Sequence, residues 1–492
     1  MTQTVHAKAG KGHLHSMLRA VVAVVLPLLV GCATADPWGR VGSAPREPSR
    51  EFRPERDVLT PARGATEELT YAGKVGKGKV SLAECIALAL ERNPRTRSTW
   101  QAARAASARV GEEKAAYLPR AELGAGVGRG ESAGIDAGAG RTKDAGPTTV
   151  YRAAFGLRYL LYDGGRRAAG VNAAEAALYA TSFRHNTALQ EVAFRVEEAY
   201  YRLLAAGWSV KVAEETVRRT GHHVELARAR KDAGVVSRSD VLKAETEHAN
   251  ARLLLVRAES EAKVACGELA SAMNLNVSTQ LEVKDIPEDA RPREMAAVEK
   301  LLQQAAKGRP KLQAALAEVQ QNQAGVKAAR AGYRPEVTAN ADYGWRDEHF
   351  APNEEEWSIG VGLSFPLFTG FERSYRLQRA ESELRRAISD YEDTLRSVAL
   401  EVWTAYAHTQ EADQAIEAAE ALVASARESR DVAQAEYKTG TGSITELIDA
   451  QTAHTEARDQ LVQARLDWYV ALARLARAVG RSLADRTPGK ME

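Results

Sequence analysis

From Leu189 onward the apolar residues fall at Leu189, Val192, Val196, Ala199, Leu203, Ala206, Val210, Ala213 and Val217, always three or four apart. That spacing keeps one stripe of an α-helix apolar and predicts a coiled-coil seam, with the alanines allowing close packing. The series returns as Leu395, Val398, Val402, Ala405, Thr409, Ala412, Ile416, Ala419 and Val423. Ahead of each long helix the period becomes two. Ala121, Leu123, Ala125 and Val127 alternate with Glu122, Gly124, Gly126 and Gly128, and Phe155, Leu157, Tyr159 and Leu161 with Ala154, Gly156 and Arg158. Later, Val337 to Trp345 and Trp357 to Phe365 alternate in the same way. Four strands of about ten residues are predicted, each apolar on one face and small or polar on the other. Such strands suit a membrane β-barrel, or two hairpins lying on a soluble core.

The repetition is general. Asn93-Pro94 matches Arg309-Pro310, and Tyr117-Leu118-Pro119 matches Tyr333-Arg334-Pro335, both 216 positions apart; from Leu157 and Leu363 the offset is 206. The difference falls where the first copy reads ESAGIDAGAGRTKDAGPTT, which predicts a longer loop there. Repeat one spans 81–275, with a helix of about 37 residues, a β-hairpin at 120–162, a long helix, a tip at 232–240 and a return helix. An irregular linker covers 276–300. Repeat two spans 301–480, with a hairpin at 336–368 and a tip at 438–446, and a tail follows at 481–492. Each long helix, about 105 Å, equals its two shorter helices placed end to end. A long rod beside a composite rod is therefore expected in each repeat.

The tips read DAGVVSRSDVLKAE and KTGTGSITELIDAQ. In each, a Gly (Gly234, Gly440) suits the left-handed residue that ends a helix. Ser237 with Asp240, and Ser443 with Glu446, are then the reciprocal capping boxes that start the next one.

Charge adds mainly exclusions. The 492 residues carry 67 basic and 65 acidic side chains, a net +2, with no concentrated basic face for a nucleic-acid partner. Lys8, Lys11 and Arg19 precede the apolar run Ala20–Gly31, too short to span a bilayer. It ends in Leu29-Val30-Gly31-Cys32, which resembles a bacterial lipobox. Residues 1–31 are thus expected to be a lipoprotein signal peptide and Cys32 the lipidated residue, with 32–80 an extended tether. By the same analogy, Ala33 favours the outer membrane. Cys85 and Cys266 are expected as separate buried thiols, a disulfide between them staying open. His222, His223 and His248 lack metal-binding spacing and are expected on solvated helix faces, and no metal site follows. Asp163-Gly164-Gly165 is a turn without a nucleophile, and nothing assembles base, nucleophile and oxyanion donor, so no enzyme is expected. No cofactor is expected beyond the lipid on Cys32.

Lipobox, doubled helix-strand-strand-helix order, Asn-Pro or Arg-Pro after the helix openings, Tyr-x-Pro before the odd strands and Tyr-x-x-Gly at the second tip together resemble the TolC family of outer-membrane efflux channels, over residues 81 to about 480. The resemblance implies a mainly α protein with a membrane β-barrel: a homotrimer whose 12-stranded barrel lies in outer-membrane lipid above a coiled-coil α-barrel tunnel through the periplasm. It implies a passive exit duct fed by an inner-membrane pump and a periplasmic adaptor. At the entrance it implies a ring from Glu446 and Asp449, and a closed state in which Tyr437 binds Asp240; where the family has a further Arg, this chain has Gly442. Arg238 could stand in for it, and Lys243 could pair with Asp449. Gly234, Val235, Val236 and Ser237, with Gly440, Thr441, Gly442 and Ser443, would offer the adaptor a close-approach surface. The alternative is a periplasmic coiled-coil scaffold or adaptor lipoprotein that forms no pore.

Overall fold

The computed structural model describes residues 78–135, 142–285, 296–348, 350 and 354–480. Cys32, the signal segment, nearly all of the tether, the middle of the linker and the C-terminal tail lie outside the described residues. In chain order the elements are α1 (Leu82–Arg92), α2 (Pro94–Ala115), β1 (Arg120–Ile135), β2 (Thr142–Tyr162), α3 (Arg166–Asp232), α4 (Arg238–Ala272), α5 (Val298–Gly308), α6 (Pro310–Ala331), β3 (Glu336–Asp347), β4 (Glu354–Ser364), α7 (Glu372–Thr439) and α8 (Ile444–Val479).

The first helix of each repeat, expected to be continuous, is broken in two. Proline disfavours the helical conformation of the residue before it, and Asn93 (φ −66°, ψ 125°) and Arg309 (φ −72°, ψ 116°) are both extended. Asn93 serves both sides of the break: its N–H closes α1 on the Ala89 carbonyl, and its Oδ1 accepts the Arg95 N–H at 2.8 Å to cap α2.

The chain divides into two compact units. One, containing Arg104–Glu175 and Lys327–Tyr375, carries an antiparallel sheet in the order β1-β2-β3-β4. Its register sets Leu123, Phe155, Tyr343 and Trp357 in one row across all four strands, and Ala121, Leu157, Ala341 and Ile359 in another. The opposite face carries the rows Glu122, Gly156, Asp342, Ser358 and Gly124, Ala154, Gly344, Glu356. A Cβ on Gly344 would lie 2.5 Å from the Ala153 carbonyl oxygen, so that crossing tolerates only hydrogen. Leu123, Ile359 and Leu363 are more than 70% exposed, an apolar face that no described residue covers.

Two expectations about this sheet are corrected. β1 and β2 have 16 and 21 residues, not about ten, because much of the segment read as a loop continues the ladder: Ser132 faces Ala145 and Ile135 faces Thr142 after a register shift near Gly130. Backbone pairing needs no side-chain alternation, so Gly/Ala sequence can extend a hairpin without showing a period. In repeat two β4 ends at Ser364, short of the expected 368.

The other unit is helical, and its two cores match at six central positions. In the first, Cys85, Ala89, Val192, Val196, Leu269 and Met273 pack together; in the second, Leu301, Ala305, Val398, Val402, Leu475 and Val479 occupy the corresponding positions. The predicted seam is therefore the packed seam, except that Leu395 is 37% exposed where Leu189 is fully buried. Cys85 is buried and Cys266 half-buried, and both are free thiols; burial pushes the Cys85 thiol up to about 11. Cys266 Sγ instead donates to the Thr279 carbonyl at 3.5 Å.

The strand-to-helix turns separate glycines that look alike in sequence. Gly164 (φ +68°) accepts a hydrogen bond from Arg334 Nη1 at its carbonyl oxygen, and a Cβ on it would meet Arg334 Cβ at 2.5 Å. Gly165 (φ +93°) has open space, and its repeat-two counterpart is Phe371 at φ +64°. Gly165→Ala should therefore cost only the left-handed strain, about 1 kcal/mol, and Gly164→Ala clearly more. Thermal melts of the detergent-solubilised variants check this; equal losses would contradict the turn geometry.

Candidate functional site at the helical tips

Both tips form as their sequences dictate. After α3, Gly234 (φ +75°) lets the Val235 N–H reach the Arg230 carbonyl at 2.9 Å and its own N–H the Lys231 carbonyl, so a Schellman motif ends the helix. Ser237 then caps α4: its N–H donates to Asp240 Oδ2 at 3.1 Å, and its Oγ accepts the Asp240 N–H. After α7, Gly440 (φ +91°) ends the helix, and Ser443 caps α8, its N–H donating to Glu446 Oε2 at 2.7 Å. The Ser443 N–H and hydroxyl hold the Glu446 carboxyl below the usual carboxylate range. Glu446 is thus committed to its cap. Asp449 lies one turn further, exposed, and has no hydrogen-bond or ion-pair partner among the described residues.

The two tips share one small core. Val224, Ala227, Val241, Ala244, Tyr437, Ile444 and Leu447 are buried together, drawn from α3, α4, α7 and α8. Tyr437, 2% exposed, lies in it under the Arg230 guanidinium, which sits 4.7 Å from the ring centroid. Burial raises the Tyr437 phenol above its ordinary value, with Arg230 opposing the rise. Tyr437 Oη and Arg230 Nη1 are both buried without a hydrogen bond.

Within this chain the residues expected to close the tips make other contacts. Asp240 spends its carboxylate on the Ser237 N–H, and Tyr437 takes a cation–π contact in place of a hydrogen bond to it. The cation is Arg230, from the last turn of α3, and not Arg238. Lys243 reaches Thr445 Oγ1 at 3.1 Å and does not pair with Asp449. Gly442 is tight against its own helix end, since a Cβ there would lie 3.0 Å from Glu436 Cβ. Gly440 also makes room for the substitute cation, as its Cβ would sit 3.2 Å from Arg230 Nη2. Sequence reading missed Arg230 because helix-ending basic residues are commonplace and the pairing crosses repeats. It also placed all three histidines on solvated faces; His222 is exposed, but His223 is buried at 6% exposure and His248 half-buried against the Thr220 hydroxyl.

The Outer membrane efflux protein family is matched over residues 85–275 and 301–481, the two halves that contain the repeated architecture. The chain belongs to that family. Protein CyaE of Bordetella pertussis is 30% identical to this efflux protein over 424 residues, covering 84% of this chain and 87% of CyaE. Outer membrane efflux protein BepC of Brucella suis is 25% identical over 432 residues, covering 84% and 89%. In fold, the efflux protein resembles the outer membrane protein VceC of Vibrio cholerae with a TM-score of 0.70 at 19% identity, over 81% of this chain and 96% of VceC. The protein is thus an outer-membrane channel of an efflux or export system, with a helical tunnel and barrel strands, and the pore-free scaffold is set aside.

At the tips of the efflux protein, Arg230→Ala and Tyr437→Ala should each increase hydrogen exchange at residues 224–244 and 430–447. The double variant should add less than the sum, with a coupling of about 1 kcal/mol. Strict additivity would mean that the stacked pair holds nothing together.

Proposed function

We propose that this channel works as a lipid-anchored homotrimer, a passive exit duct that receives its cargo from an inner-membrane pump through a periplasmic adaptor. The observation that carries the reading is the four-stranded sheet, with its exposed apolar face and unpaired edges at β1 and β4. In lipid such edges must be paired, and three copies joined edge to edge would give twelve strands and no free edge. The lipid on Cys32 would hold the chain at the outer membrane.

The tips are the gate in this reading. Asp449, uncommitted and exposed, gives the entrance its charge, with Glu446 contributing what its cap leaves over; three copies would gather six carboxylates. Arg230, Tyr437 and the shared apolar core keep the two hairpins of each copy together, and Asp240 supports them as a cap. The surface formed by Gly234, Val235, Val236 and Ser237, with Gly440, Thr441, Gly442 and Ser443, has small residues and φ-positive glycines where an adaptor hairpin would dock. Docking that pulls α7 and α8 from α3 and α4 would open the duct. The protein itself would perform no chemistry and hold no metal.

Planar-bilayer recording tests this. Wild-type protein should give small, cation-selective, mostly closed events, and Glu446→Ala with Asp449→Ala should raise single-channel conductance and weaken block by multivalent cations. Unchanged conductance and block would remove the acidic ring from the reading.

A further inference from the structure

Beyond the apolar tip core, the interface between the two hairpins becomes polar. Thr216, Thr220 and His223 on α3, Arg430 on α7, and Gln451 and His454 on α8 are all buried. Within the second hairpin, Arg430 Nη1 of α7 lies 3.1 Å from His454 Nδ1 of α8 and 3.3 Å from its Nε2, so a neutral imidazole is the acceptor there. The guanidinium's Nε donates to Asp431 Oδ1 at 3.0 Å. Across the repeats, the Thr216 and Thr455 hydroxyls are 3.3 Å apart, and Arg458 of α8 bridges to Glu215 of α3, which also accepts from Arg219 at 2.6 Å.

We propose that this buried layer is an acid-sensitive latch on the tips: it joins the two hairpins while His223 and His454 are neutral, and their protonation releases them. The proposal rests on the channel reading only in naming what the latch controls. Around His454 stand Arg430 of α7, Arg458 of its own helix, and Arg219 and Glu215 of α3; around His223 stand Arg219, His222, Arg430 and Lys438. From α4 the nearby groups are His248, on the Thr220 hydroxyl, and Glu245, on Arg228. Cations outnumber carboxylates. An imidazolium at position 454 would lose its role as acceptor and face the guanidinium directly.

Burial first, then Arg430 for His454 and Arg219 for His223, lower both imidazoles to about 4. Imidazoles released to water titrate near 6.5 and so bind protons at a higher pH than latched ones. The latch is therefore complete above about pH 6.5 and weakens as pH falls toward 4, and at pH 5.5 release is favoured about tenfold per imidazole. Glu215, held at about 2 chiefly by its hydrogen bond from Arg219, stays charged through that window. His248 sits 206 positions before His454, at the equivalent place in repeat one, but its hydrogen bond among the described residues is with the Thr220 hydroxyl and not with a guanidinium. It serves as the internal control.

The test is hydrogen exchange at residues 224–244 and 430–447, corrected for intrinsic rates, at pH 7.5 and 5.5, with bilayer currents recorded in parallel. Wild type should open its tips ten- to a hundredfold more at pH 5.5, and His248→Gln should keep that response. His223→Gln with His454→Gln should lose it, and Arg430→Gln, which keeps both imidazoles and removes a nearby cation, should shrink it. A wild type indifferent to pH, or a response surviving in the His223→Gln, His454→Gln protein, would overturn the latch. A histidine-dependent exchange response with no current at either pH would support the latch and overturn the channel reading instead.

Discussion

Among the described residues the four-stranded sheet is left open at both edges, and much else in the proposed function depends on that constraint. β1 and β4 each present an edge with unpaired backbone groups, beside an apolar face more than 70% exposed at Leu123, Ile359 and Leu363. In water such a surface would aggregate; in lipid each unpaired N–H or C=O costs several kcal/mol. Membrane insertion would cover the face, and closure through further copies, as proposed, would cover the edges. Assembly and pore formation are therefore the same step in this account.

Internal duplication explains the rest of the economy. Two cores matched position by position, from Val192 and Val398 to Leu269 and Leu475, give two similar hairpins from one pattern. The functional differences lie where the copies diverge. Arg230 stacks across the repeats on Tyr437, where the counterparts are Glu436 and Lys231, and His454 meets Arg430 where its counterpart His248 has Val224 in the matching place. A cation stacked on an aromatic at equivalent ends of the two hairpins needs two different residues, which strict duplication would not supply.

What the sequence revealed follows from how local each signal is. Helix seams, capping boxes at Ser237 and Ser443 and alternating strands rest on contacts within a few residues, and they were legible. Asn93 and Arg309 should have been read as breaks, since the following prolines state the reason. The extension of β1 and β2 was hidden because ladder bonds use the backbone alone. The contacts at the tips were partly hidden for another reason. The resemblance pointed to Tyr437 and Asp240, but the choice of Arg230 over Arg238 depends on which side of a helix end faces the other hairpin. The buried layer had a faint signal, as Thr216, Thr220, Gln451 and His454 interrupt otherwise apolar seam positions; only packing shows that they meet.

The most direct measurement of the central claim is gel migration of the membrane-extracted protein with and without boiling. Closure of the sheet by three copies predicts an SDS-resistant species of three chains that collapses to the monomer on heating. Migration as a monomer in both conditions, from folded protein recovered in the outer-membrane fraction, would contradict it.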